Sequence, residues 1–491
     1  MTDAAIADDV EGLAAARAVE QRFVDVIDRC EGAVVSIVRG GDASDEQRRV
    51  MPFRQRGPID QSLDLRSAPE TFGSGVIIAS EKGGDSRFVL TNDHVLRTAG
   101  EATGTDVRDP VHVFLANHRR VRAIVIASDP RSDLAVLQLN LAGSGIDPQS
   151  VTPLPLGDAT DVRKGQMVLA MGNPYAIARD GSASASWGII SNISRPAPKE
   201  DDEAIPGSGD GATIHEYGTL LHVDTRLDLG MSGGALLNLD GELIGLTTSL
   251  AALKGYEQSV GYAIPIDESM RRVIDSLLEG HEVEYGFLGI HTEDVEPGRF
   301  PLPGGQMSAA RASFVSSGSP AERGGLRSHD VILSINDHPV LGASDLMREI
   351  GLLGPGAHAS LQVWRAPERR TMRADVTLGK WPVADDSKII ATNPRYQDWR
   401  GLQVDYPTGR RRFLTSDVME TYLHAVLILS VADGSPAQSA ELRPGDFITA
   451  VSDIKVETPR QFHHAVANLS GPVTLTRLDG TQIELTDSPN N

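Results

Sequence analysis

Cysteine is nearly absent from this sequence of 491 residues. The single Cys30 cannot form an intramolecular disulfide, and it also excludes a zinc site built from several thiolates. Small secreted folds that depend on disulfide bridges are therefore excluded, and Cys30 is best explained as a small buried side chain. Stability must come from hydrophobic cores, for which a hydrophobic content of 40% is sufficient.

Long hydrophobic runs are also missing. The longest candidate, residues 425–432, is interrupted and falls short of the ~18 residues that a membrane helix requires. The sequence therefore predicts no integral membrane segment. The first residues, 1–9, are acidic and lack the basic and apolar pattern of a signal peptide, so we expect a cytoplasmic protein. A periplasmic location is the alternative if further residues precede Met1.

Positive charge is scarce. Lys and Arg number 46 against 67 Asp and Glu, which gives a formal net charge of −21. This sign of charge repels phosphate-rich partners, so nucleic-acid binding is excluded as a first hypothesis. No histidine belongs to an HExxH or CxxC-type pattern, so no metal site is predicted.

Periodicity separates an N-terminal helix from a long β-rich stretch. Apolar residues recur at helical spacing between Asp9 and Arg29. After Gly32, short β-branched runs divided by Gly, Pro and Asp turns predict an antiparallel barrel or sandwich that extends to about Pro265. These runs are residues 33–38, 75–79, 88–91, 111–115, 135–139, 167–171, 220–224 and 243–249.

Three polar stretches interrupt these patterns. Residues 40–71 and 195–218 are long for turns, which favours functional loops, and a dispensable insertion is the alternative for each. Residues 381–394 have the composition of an interdomain linker.

The C-terminal half contains an internal repeat. The segment GSPAERGGLRSHDVILSIND begins at Gly318, and GSPAQSAELRPGDFITAVSD begins at Gly434. A helical pattern follows each copy, at residues 344–353 and 459–469. The repeat predicts two copies of one small α+β domain.

Three short segments carry the residue types that nucleophilic catalysis needs. His94 ends an apolar strand in TNDHVL, Asp133 precedes another in DPRSDLAVLQL, and Ser232 lies in the glycine-rich turn of GMSGGALLNLDGELIGL. A serine nucleophile requires a base to take its proton and a carboxylate to hold the imidazole in the right tautomer. The chain order His, Asp, Ser on an all-β frame matches the chymotrypsin arrangement rather than the subtilisin or α/β-hydrolase orders.

The glycines around Ser232 predict an oxyanion hole. Gly230 permits a backbone conformation in which its own amide and that of Ser232 point at the oxyanion formed during acyl transfer. Gly233 and Gly234 leave space around the nucleophile.

In these segments the sequence resembles the HtrA (Deg) serine proteases, trypsin-fold endopeptidases followed by PDZ domains. The resemblance is carried by GSGVII at Gly73, LTNDHVL at Leu90, SDPRSDLAVLQL at Ser128, LGDATDVRKGQMVLAMGNP at Leu156, GMSGGALLNLDGELIGL at Gly230 and GYAIPID at Gly261. It extends from about Arg17 to the C-terminus. It implies that His94 is the general base, Asp133 its orienting carboxylate and Ser232 the nucleophile, with the amides of Gly230 and Ser232 as the oxyanion hole.

The chain departs from the family's usual asparagine at Asp93, Asp228 and Met231. Met231 also replaces the aspartate that pairs with a newly cut N-terminus in trypsins, so activation is expected to be conformational rather than by zymogen cleavage. By resemblance, Leu227 and Val260 line the primary specificity pocket, which favours small or medium aliphatic side chains before the cleaved bond.

The two repeats resemble PDZ domains. Such a domain accepts a peptide as an added strand and holds its C-terminal carboxylate on backbone amides. The loop with this role is formed by Gly286, Phe287, Leu288 and Gly289 in the first copy, and by Gly401, Leu402 and Gln403 in the second. A module used only for packing or assembly is the alternative, above all for the second copy.

The sequence thus predicts a mainly β protein, with a chymotrypsin-like double β-barrel followed by two α+β PDZ-like domains. The divisions are an N-terminal helix (1–31), a protease domain (32–280), a first PDZ domain (284–380), the linker (381–394) and a second PDZ domain (395–487).

The expected function is ATP-independent cleavage of peptide bonds in unfolded or damaged proteins through an acyl-enzyme, without cofactor or metal, while the PDZ domains bind peptide C-termini. The family implies a homotrimer or higher homo-oligomer, to which Phe23 and its helix contribute. Peptide binding to the first PDZ domain is expected to shift residues 195–218 and thereby order the turn 228–231.

A non-proteolytic PDZ scaffold or holdase is the alternative, supported by Asp93 and Met231 alone. An esterase with the same triad is a second alternative.

Overall fold

The computed structural model describes residues 3–39, 71–97, 111–117, 119–173, 182–195, 213–228, 230–248, 261–295, 302–414 and 422–487. The chain forms two compact units. The first contains residues 1–200, 219–280 and 387–392, and the second contains residues 201–218, 281–386 and 393–491.

A single long helix, Asp3–Cys30, opens the first unit. It begins six residues earlier than the apolar periodicity predicts, because the preceding Ala and Asp residues are compatible with a helix but carry no apolar spacing. Phe23 on this helix stacks on Trp187, with ring centroids 5.6 Å apart. Cys30, at its end, is buried as expected.

Six strands form the first barrel. They are β1 (Val34–Arg39), β2 (Thr71–Ile78), β3 (Phe88–Thr91), β4 (Val111–Phe114), β5 (Arg120–Asp129) and β6 (Leu134–Leu139). Each pairs antiparallel with its neighbours in the order β5-β4-β1-β2-β3-β6, and β6 returns to β5 to close the barrel. Ile37, Val89 and Val136 lie fully buried inside it, as β-branched side chains on a pleated surface do.

A second closed barrel follows in the same unit. Its strands are β7 (Met167–Gly172), β8 (Ser184–Arg195), β9 (Leu220–Val223), β10 (Ala235–Leu237), β11 (Leu243–Thr248) and β12 (Gly261–Pro265), in the order β10-β11-β12-β9-β8-β7. Val168, Ile190 and Leu236 belong to its core. The helix Glu268–Leu278 comes next and begins at the cap Asp267, whose side chain accepts a hydrogen bond from the Met270 amide.

The sequence pattern misses four of these strands: β5, β8, β10 and β12. In β5, Arg120 and Arg122 alternate with buried residues, so the period-two signal is present although the segment is not a β-branched run. In β8 the first residues are Ser and Ala, which have little strand preference. Strand β10 has only three residues, so it offers no measurable periodicity.

The second unit repeats one design twice. The first copy contains β13 (Gly286–Phe287), β14 (Ile290–Asp294), β15 (Ala310–Val315), β16 (Val331–Ile335), β17 (His338–Pro339), β18 (His358–Arg365), β19 (Arg370–Thr377), β20 (Gly379–Lys380) and the helices Pro320–Arg323 and Ala343–Leu353. The second copy contains β22 (Leu402–Asp405), β23 (Val426–Val431), β24 (Phe447–Val451), β25 (Ile454–Lys455), β26 (Val473–Arg477), β27 (Gln482–Leu485) and the helices Pro436–Ser439 and Pro459–Val466.

The two sheets have the same topology. Their orders are β14-β15-β16-β18-β19 and β22-β23-β24-β26-β27, with a short strand added to the middle strand of each. The serine of each GSPA motif, Ser319 or Ser435, caps the short helix that follows it. The double barrel and these two PDZ-like domains confirm the predicted fold class.

A buried charge cluster joins the two copies. It consists of Lys380, Arg410, Glu282, Glu284 and Asp405. The Lys380 Nζ lies 2.9 Å from Asp405 Oδ1 and 3.0 Å from Glu282 Oε1, and Arg410 Nη1 lies 2.9 Å from Asp405 Oδ2. Because Lys380 ends the first copy and Asp405 ends the first strand of the second, the cluster fixes one copy to the other within this unit.

Part of the predicted linker belongs to the first unit. Within residues 387–392, strand β21 (Ile390–Ala391) pairs antiparallel with β5, and Ile390 lies opposite Ser128. The segment thus adds a short strand to β5, beyond the residues of β5 that pair with β4.

Candidate active site

His94 and Asp133 are brought together by the pairing of β3 with β6. His94 lies in the 3-10 turn Asp93–Leu96, directly after β3, and Asp133 directly precedes β6. The Nδ1 of His94 lies 2.9 Å from both carboxylate oxygens of Asp133. This hydrogen bond fixes the imidazole orientation and leaves Nε2 as the nitrogen for proton transfer.

The Asp133 backbone is held in an uncommon conformation. Its φ is +52°, in the left-handed region that few residues other than glycine adopt. Three donors hold it: the Asn92 side chain and the Asp93 amide each donate to the Asp133 carbonyl at 3.0 Å, and the His94 amide donates to Oδ1 at 3.1 Å. The carboxylate position is therefore set by the same segment that carries His94.

The second barrel also contacts this carboxylate. The Thr248 hydroxyl, at the end of β11, donates to Asp133 Oδ2 at 3.3 Å. Asp133 is thus held from both barrels of the first unit.

The charges around His94 raise the pKa of its imidazole. Burial acts to lower this pKa, but the negative charge of Asp133, the hydrogen bond to it and the charge of Asp93 outweigh burial. The His94 imidazole is neutral only above this raised pKa, so a reaction that required it as a base would slow as the pH falls through that value.

Ser232 lies in the turn between β9 and β10 and is 5% exposed. The Ser74 amide on β2 donates to the Ser232 carbonyl at 2.8 Å, which ties this turn to the first barrel. Gly73 separates the two turns: a side chain there would lie 2.6 Å from Val95, next to His94, and 3.2 Å from the Ser232 carbonyl. The turns that carry His94 and Ser232 are therefore adjacent across the two barrels.

Two glycines beside Ser232 have positive φ values. Gly233 has φ +81°, and a side chain there would lie 2.1 Å from the Ser74 carbonyl, so only glycine fits. Gly230 has φ +95°, and its carbonyl accepts a hydrogen bond of 2.8 Å from the Ser74 hydroxyl. The same hydroxyl accepts a hydrogen bond from the backbone amide of Asn173 at 2.8 Å. Ser74 thus sets the direction of the peptide group that follows Gly230.

Ser74→Ala is expected to lower kcat by about 10-fold, because loss of its buried hydroxyl frees the turn that is predicted to present the oxyanion amides. The measurement is steady-state cleavage of a peptide substrate. Ser150, whose exposed hydroxyl contacts only a local carbonyl, provides the matched control Ser150→Ala. A parent-like kcat for Ser74→Ala would show that this hydroxyl does not hold the turn.

The three residues that stand where the family usually has asparagine, Met231, Asp228 and Asp93, lie in different surroundings. Met231 is buried in the core of the second barrel, where its side chain adds apolar packing. Asp228 is partly buried and pairs with Arg226, with Nε and Oδ2 3.1 Å apart. Asp93 is buried and pairs with Arg97. All three side chains are therefore accommodated, and Met231 packs into the barrel core.

Of the two predicted pocket residues, Leu227 lies within the described part of the chain. Leu227 packs against the core of the second barrel and lies beside Gly261, whose missing side chain leaves room for it. Val260 lies outside the described residues, so the pairing of the two in a specificity pocket stays a prediction.

The structure places the first predicted peptide-binding loop at the start of an edge strand. Gly286 packs against the Ile350 carbonyl of the helix Ala343–Leu353, and a side chain there would lie 2.2 Å from that oxygen. Phe287 and Leu288 are buried, and Gly289 has φ +81°. Among the described residues, strand β14, which follows, has a sheet neighbour on one side only and faces the helix on the other, as strand addition requires.

In the second copy the equivalent loop, residues 398–401, begins three residues earlier than the sequence predicts. Gly289 and Gly401 have φ values of +81° and +85°, and each packs against the serine of its GSPA motif. The backbone amide of Ala437 donates to the Arg400 carbonyl, just as the backbone amide of Ala321 donates to the Leu288 carbonyl. Residues 399–402 therefore match 287–290, and Leu402 and Gln403 already belong to strand β22.

Sequence reasoning missed three supporting hydroxyls. Ser74 supports Gly230, Thr248 supports Asp133, and the Thr247 hydroxyl donates to the Met231 carbonyl at 2.5 Å. The available signal was weak: each hydroxyl sits on a strand that reads as ordinary β structure. The roles of Ser74 and Thr248 become visible only when the two barrels pack together, and that of Thr247 only when the turn before β10 packs against β11.

Within the described ranges, no three His, Cys, Asp or Glu side chains lie close enough to hold a metal ion. Nor does any helix in the described part of the chain combine the length and apolar character needed to cross a membrane.

Comparison with known proteins assigns families to three stretches. Residues 73–246 match the trypsin-like peptidase domain, and residues 286–376 and 427–476 each match a PDZ domain.

Two curated relatives carry the name probable periplasmic serine endoprotease DegP-like. The one from Pseudomonas fluorescens is 30% identical over 420 residues, covering 84% of this chain and 77% of the relative. The one from Hahella chejuensis is 30% identical over 442 residues, covering 87% and 80%. A solved structure described as HtrA-type protease AlgW with decapeptide is 25% identical and covers 74% of this chain and 99% of its own, with a TM-score of 0.48.

These relatives contradict one expectation. The prediction of a cytoplasmic protein is wrong, because the similar curated proteins are named periplasmic. The prediction depended on the acidic character of residues 1–9, and a protein's compartment is set by a targeting step that its folded domains do not record.

Proposed function

Because the chain belongs to the HtrA (Deg) family of trypsin-like serine endopeptidases with PDZ domains, we propose that Ser232, His94 and Asp133 form its catalytic triad. The predicted serine endopeptidase activity is confirmed by the family. The observation that supports the residue assignment best is the contact of His94 Nδ1 with both oxygens of Asp133, beside the turn that carries Ser232.

The geometry supports acyl transfer in two steps. His94 takes the proton from the Ser232 hydroxyl as the oxygen attacks the peptide carbonyl, and Asp133 stabilises the imidazolium that forms. The amides of Gly230 and Ser232 stabilise the oxyanion, and His94 then gives its proton to the leaving amine. Water, activated by His94, hydrolyses the acyl-enzyme in the second step. No nucleotide or metal enters this scheme.

We propose unfolded polypeptides as substrates. Two peptide-binding modules on one chain suit long, extended polypeptides, since two sites on one substrate raise its effective concentration at the protease domain. An esterase would gain nothing from such modules. The non-proteolytic scaffold loses its sequence support, because Met231 packs in a core and Asp93 has a charge partner.

The experiment compares the purified parent with Ser232→Ala on an unfolded, casein-like substrate, with fragments followed by mass spectrometry. We expect fragments from the parent alone. Turnover of small esters without any cleavage of the polypeptide would indicate the esterase, and no turnover of either would indicate the scaffold.

We further propose that the first PDZ domain regulates the oxyanion turn through residues 195–218. Of this loop, residue 195 and residues 213–218 are described. Its 3-10 turn Ile214–Tyr217 lies against the helix Ala343–Leu353, the rings of Tyr217 and Trp381 are 6.0 Å apart, and Arg348 Nη1 lies 3.4 Å from the Gly218 carbonyl. The chain then enters β9, which leads to the turn before Ser232. A peptide beside this helix therefore acts on a segment that continues into the active site.

A peptide with an aliphatic C-terminus is expected to raise the cleavage rate of the parent by roughly 5-fold or more, the usual size of coupling between two sites. The double variant Ile214→Ala, Arg348→Ala is expected to bind the peptide equally well but to lose most of this stimulation. The measurement pairs cleavage rates with calorimetric peptide binding. Arg373→Ala, which removes an exposed ion pair on the same domain, is the matched control. Full stimulation in the double variant would contradict the coupling.

Assembly and compartment are also proposals. Trp187 is 61% exposed although Phe23 stacks on it, and the helix Asp3–Cys30 exposes Leu13 and Val24. Apolar side chains in this arrangement favour burial between copies, so we propose a homotrimer, which sedimentation equilibrium measures directly. From the names of its relatives, we propose a periplasmic location.

A further inference from the structure

The turn that carries His94 is closed by an ion pair. A single 3-10 turn of four residues has little stability of its own. Asp93 at its start and Arg97 just after its end form a two-pronged pair, with Nε and Oδ2 2.5 Å apart and Nη2 and Oδ1 2.7 Å apart. Such fork-like pairs are the most directional of side-chain contacts. His94 therefore sits inside a turn whose two ends are bound to each other.

Asp93 is anchored in the first barrel as well. Its side chain is buried and accepts a hydrogen bond from the Ser128 hydroxyl on β5. Its amide donates to the Asp133 carbonyl at 3.0 Å. Burial raises the pKa of the Asp93 carboxyl, while Arg97 and Ser128 oppose this. The negative charge of the buried Asp93 is therefore balanced by the positive charge of Arg97.

The outer support of Arg97 comes from residues 387–392, here called the docked segment. Arg97 Nη2 also donates to the Lys388 carbonyl at 2.5 Å. The docked segment is held on β5 next to Ser128, where Thr392 donates to the Ile126 carbonyl twice, through its amide at 3.3 Å and its hydroxyl at 2.8 Å. Both groups that hold the Asp93 side chain, Arg97 and Ser128, are therefore covered by this one segment.

We propose that Arg97 is a positioning residue for the catalytic base His94 and that the docked segment holds Arg97 in place. The chain that leaves the first PDZ domain is in this way a structural support of the active site. The inference rests on the proposed role of His94 as general base. It assigns a function to a segment that the sequence identifies only as a linker.

The charges near the turn determine how the pH dependence of kcat/KM changes when the turn loosens. Asp133 and Asp93 face His94, and Asp93, Asp133 and Asp129 face Arg97. When the turn loosens, His94 loses part of its contact with Asp133, and the pKa of its imidazole falls. The acid limb of kcat/KM then moves to lower pH, because the neutral base persists to lower pH. A general loss of folded protein would lower the rate at every pH and leave the limb in place.

The test uses the full chain and a peptide substrate. Thr392→Pro removes both donors to Ile126 at an exposed position, and we expect kcat to fall roughly 5-fold with the acid limb displaced to lower pH. Arg97→Ala is expected to lower kcat by about 10-fold at nearly constant KM, and Arg97→Lys, which keeps the charge, to recover part of this loss. Gln482→Pro, in an edge strand of the second PDZ domain, is the matched proline control. It should have the same kcat and the same acid limb as the parent.

Two further measurements keep the outcome decisive. Thermal unfolding shows whether each variant folds. If Thr392→Pro does not fold, Thr392→Val removes the hydroxyl alone and should give a smaller shift in the same direction. Parent values of kcat and of the acid limb in both Arg97→Ala and Thr392→Pro would overturn the inference. Ser232→Ala is measured in parallel, because activity in that variant would instead overturn the proposed triad.

Discussion

Asp133→Asn is expected to reduce kcat/KM by about 10⁴-fold, because an amide cannot hold His94 in the tautomer that accepts the proton from Ser232. The substitution leaves the backbone unstrained, since asparagine tolerates the left-handed φ of +52° better than most residues. The Asn92 side chain and the Asp93 amide donate to the carbonyl of this residue, and the His94 amide donates to its side-chain Oδ1. Asparagine keeps an oxygen for each of these bonds, so none of them requires a charge. The rate of peptide cleavage under single-turnover conditions measures the effect.

Thr248→Val provides the graded comparison. It removes only the 3.3 Å bond to Asp133 Oδ2 from the second barrel, so a loss of about 10-fold or less is expected. Equal losses for the two variants would mean that Asp133 acts through the packing of the two barrels. A parent-like Asp133→Asn would remove this residue from the catalytic assignment.

Lys380→Met is expected to destabilise the second unit by about 3 to 5 kcal/mol, the usual cost of leaving buried charges without their partner. Lys380 is among the most deeply buried large side chains, and its removal leaves Asp405, Glu282 and Glu284 with Arg410 as the cation of the cluster. Burial acts to lower the pKa of the Lys380 ammonium, but the three carboxylates outweigh it and the pKa is raised. Its contribution to stability therefore persists through neutral pH and is lost only as the pH rises through this raised pKa.

The free energy of unfolding is measured by urea titration with tryptophan fluorescence as the probe, since three of the four tryptophans, Trp364, Trp381 and Trp399, lie in the second unit. Adding Asp405→Asn to Lys380→Met should recover part of the loss, because the three carboxylates then outnumber Arg410 and the second substitution removes one of these excess negative charges. Arg373→Ala breaks an exposed pair and should leave the urea midpoint unchanged. A midpoint unchanged by Lys380→Met would show that the cluster does not join the two copies.

The sequence predicts the double barrel and the paired domains well, and the reasons differ. Strands such as β3 and β6 are mostly apolar, with one polar residue each, because the barrel buries both faces of each strand, so they can be recognised without the fold. The repeat at Gly318 and Gly434 reveals the second domain by comparison within the chain itself. The His, Asp and Ser segments stand out because their chemistry requires particular residue types.

What the sequence does not predict arises where distant segments meet. The hydroxyls of Ser74 and Thr248 support the site only because two barrels are packed together. Residues 387–392 have a linker's composition, yet their backbone groups complete an edge of β5 with no special side-chain signal. The predicted loop at Gly401 begins three residues too late, because the second copy has Arg400 where the first has the apolar Leu288.

The central claim is that Ser232 is the nucleophile of a serine endopeptidase. An organophosphonate that reacts with activated serines, followed by peptide mapping of the parent by mass spectrometry, tests it most directly. The account predicts one covalent adduct, on Ser232, formed at the rate at which cleavage of a casein-like substrate is lost. An adduct on another residue that abolishes cleavage, with Ser232 unmodified, would contradict it.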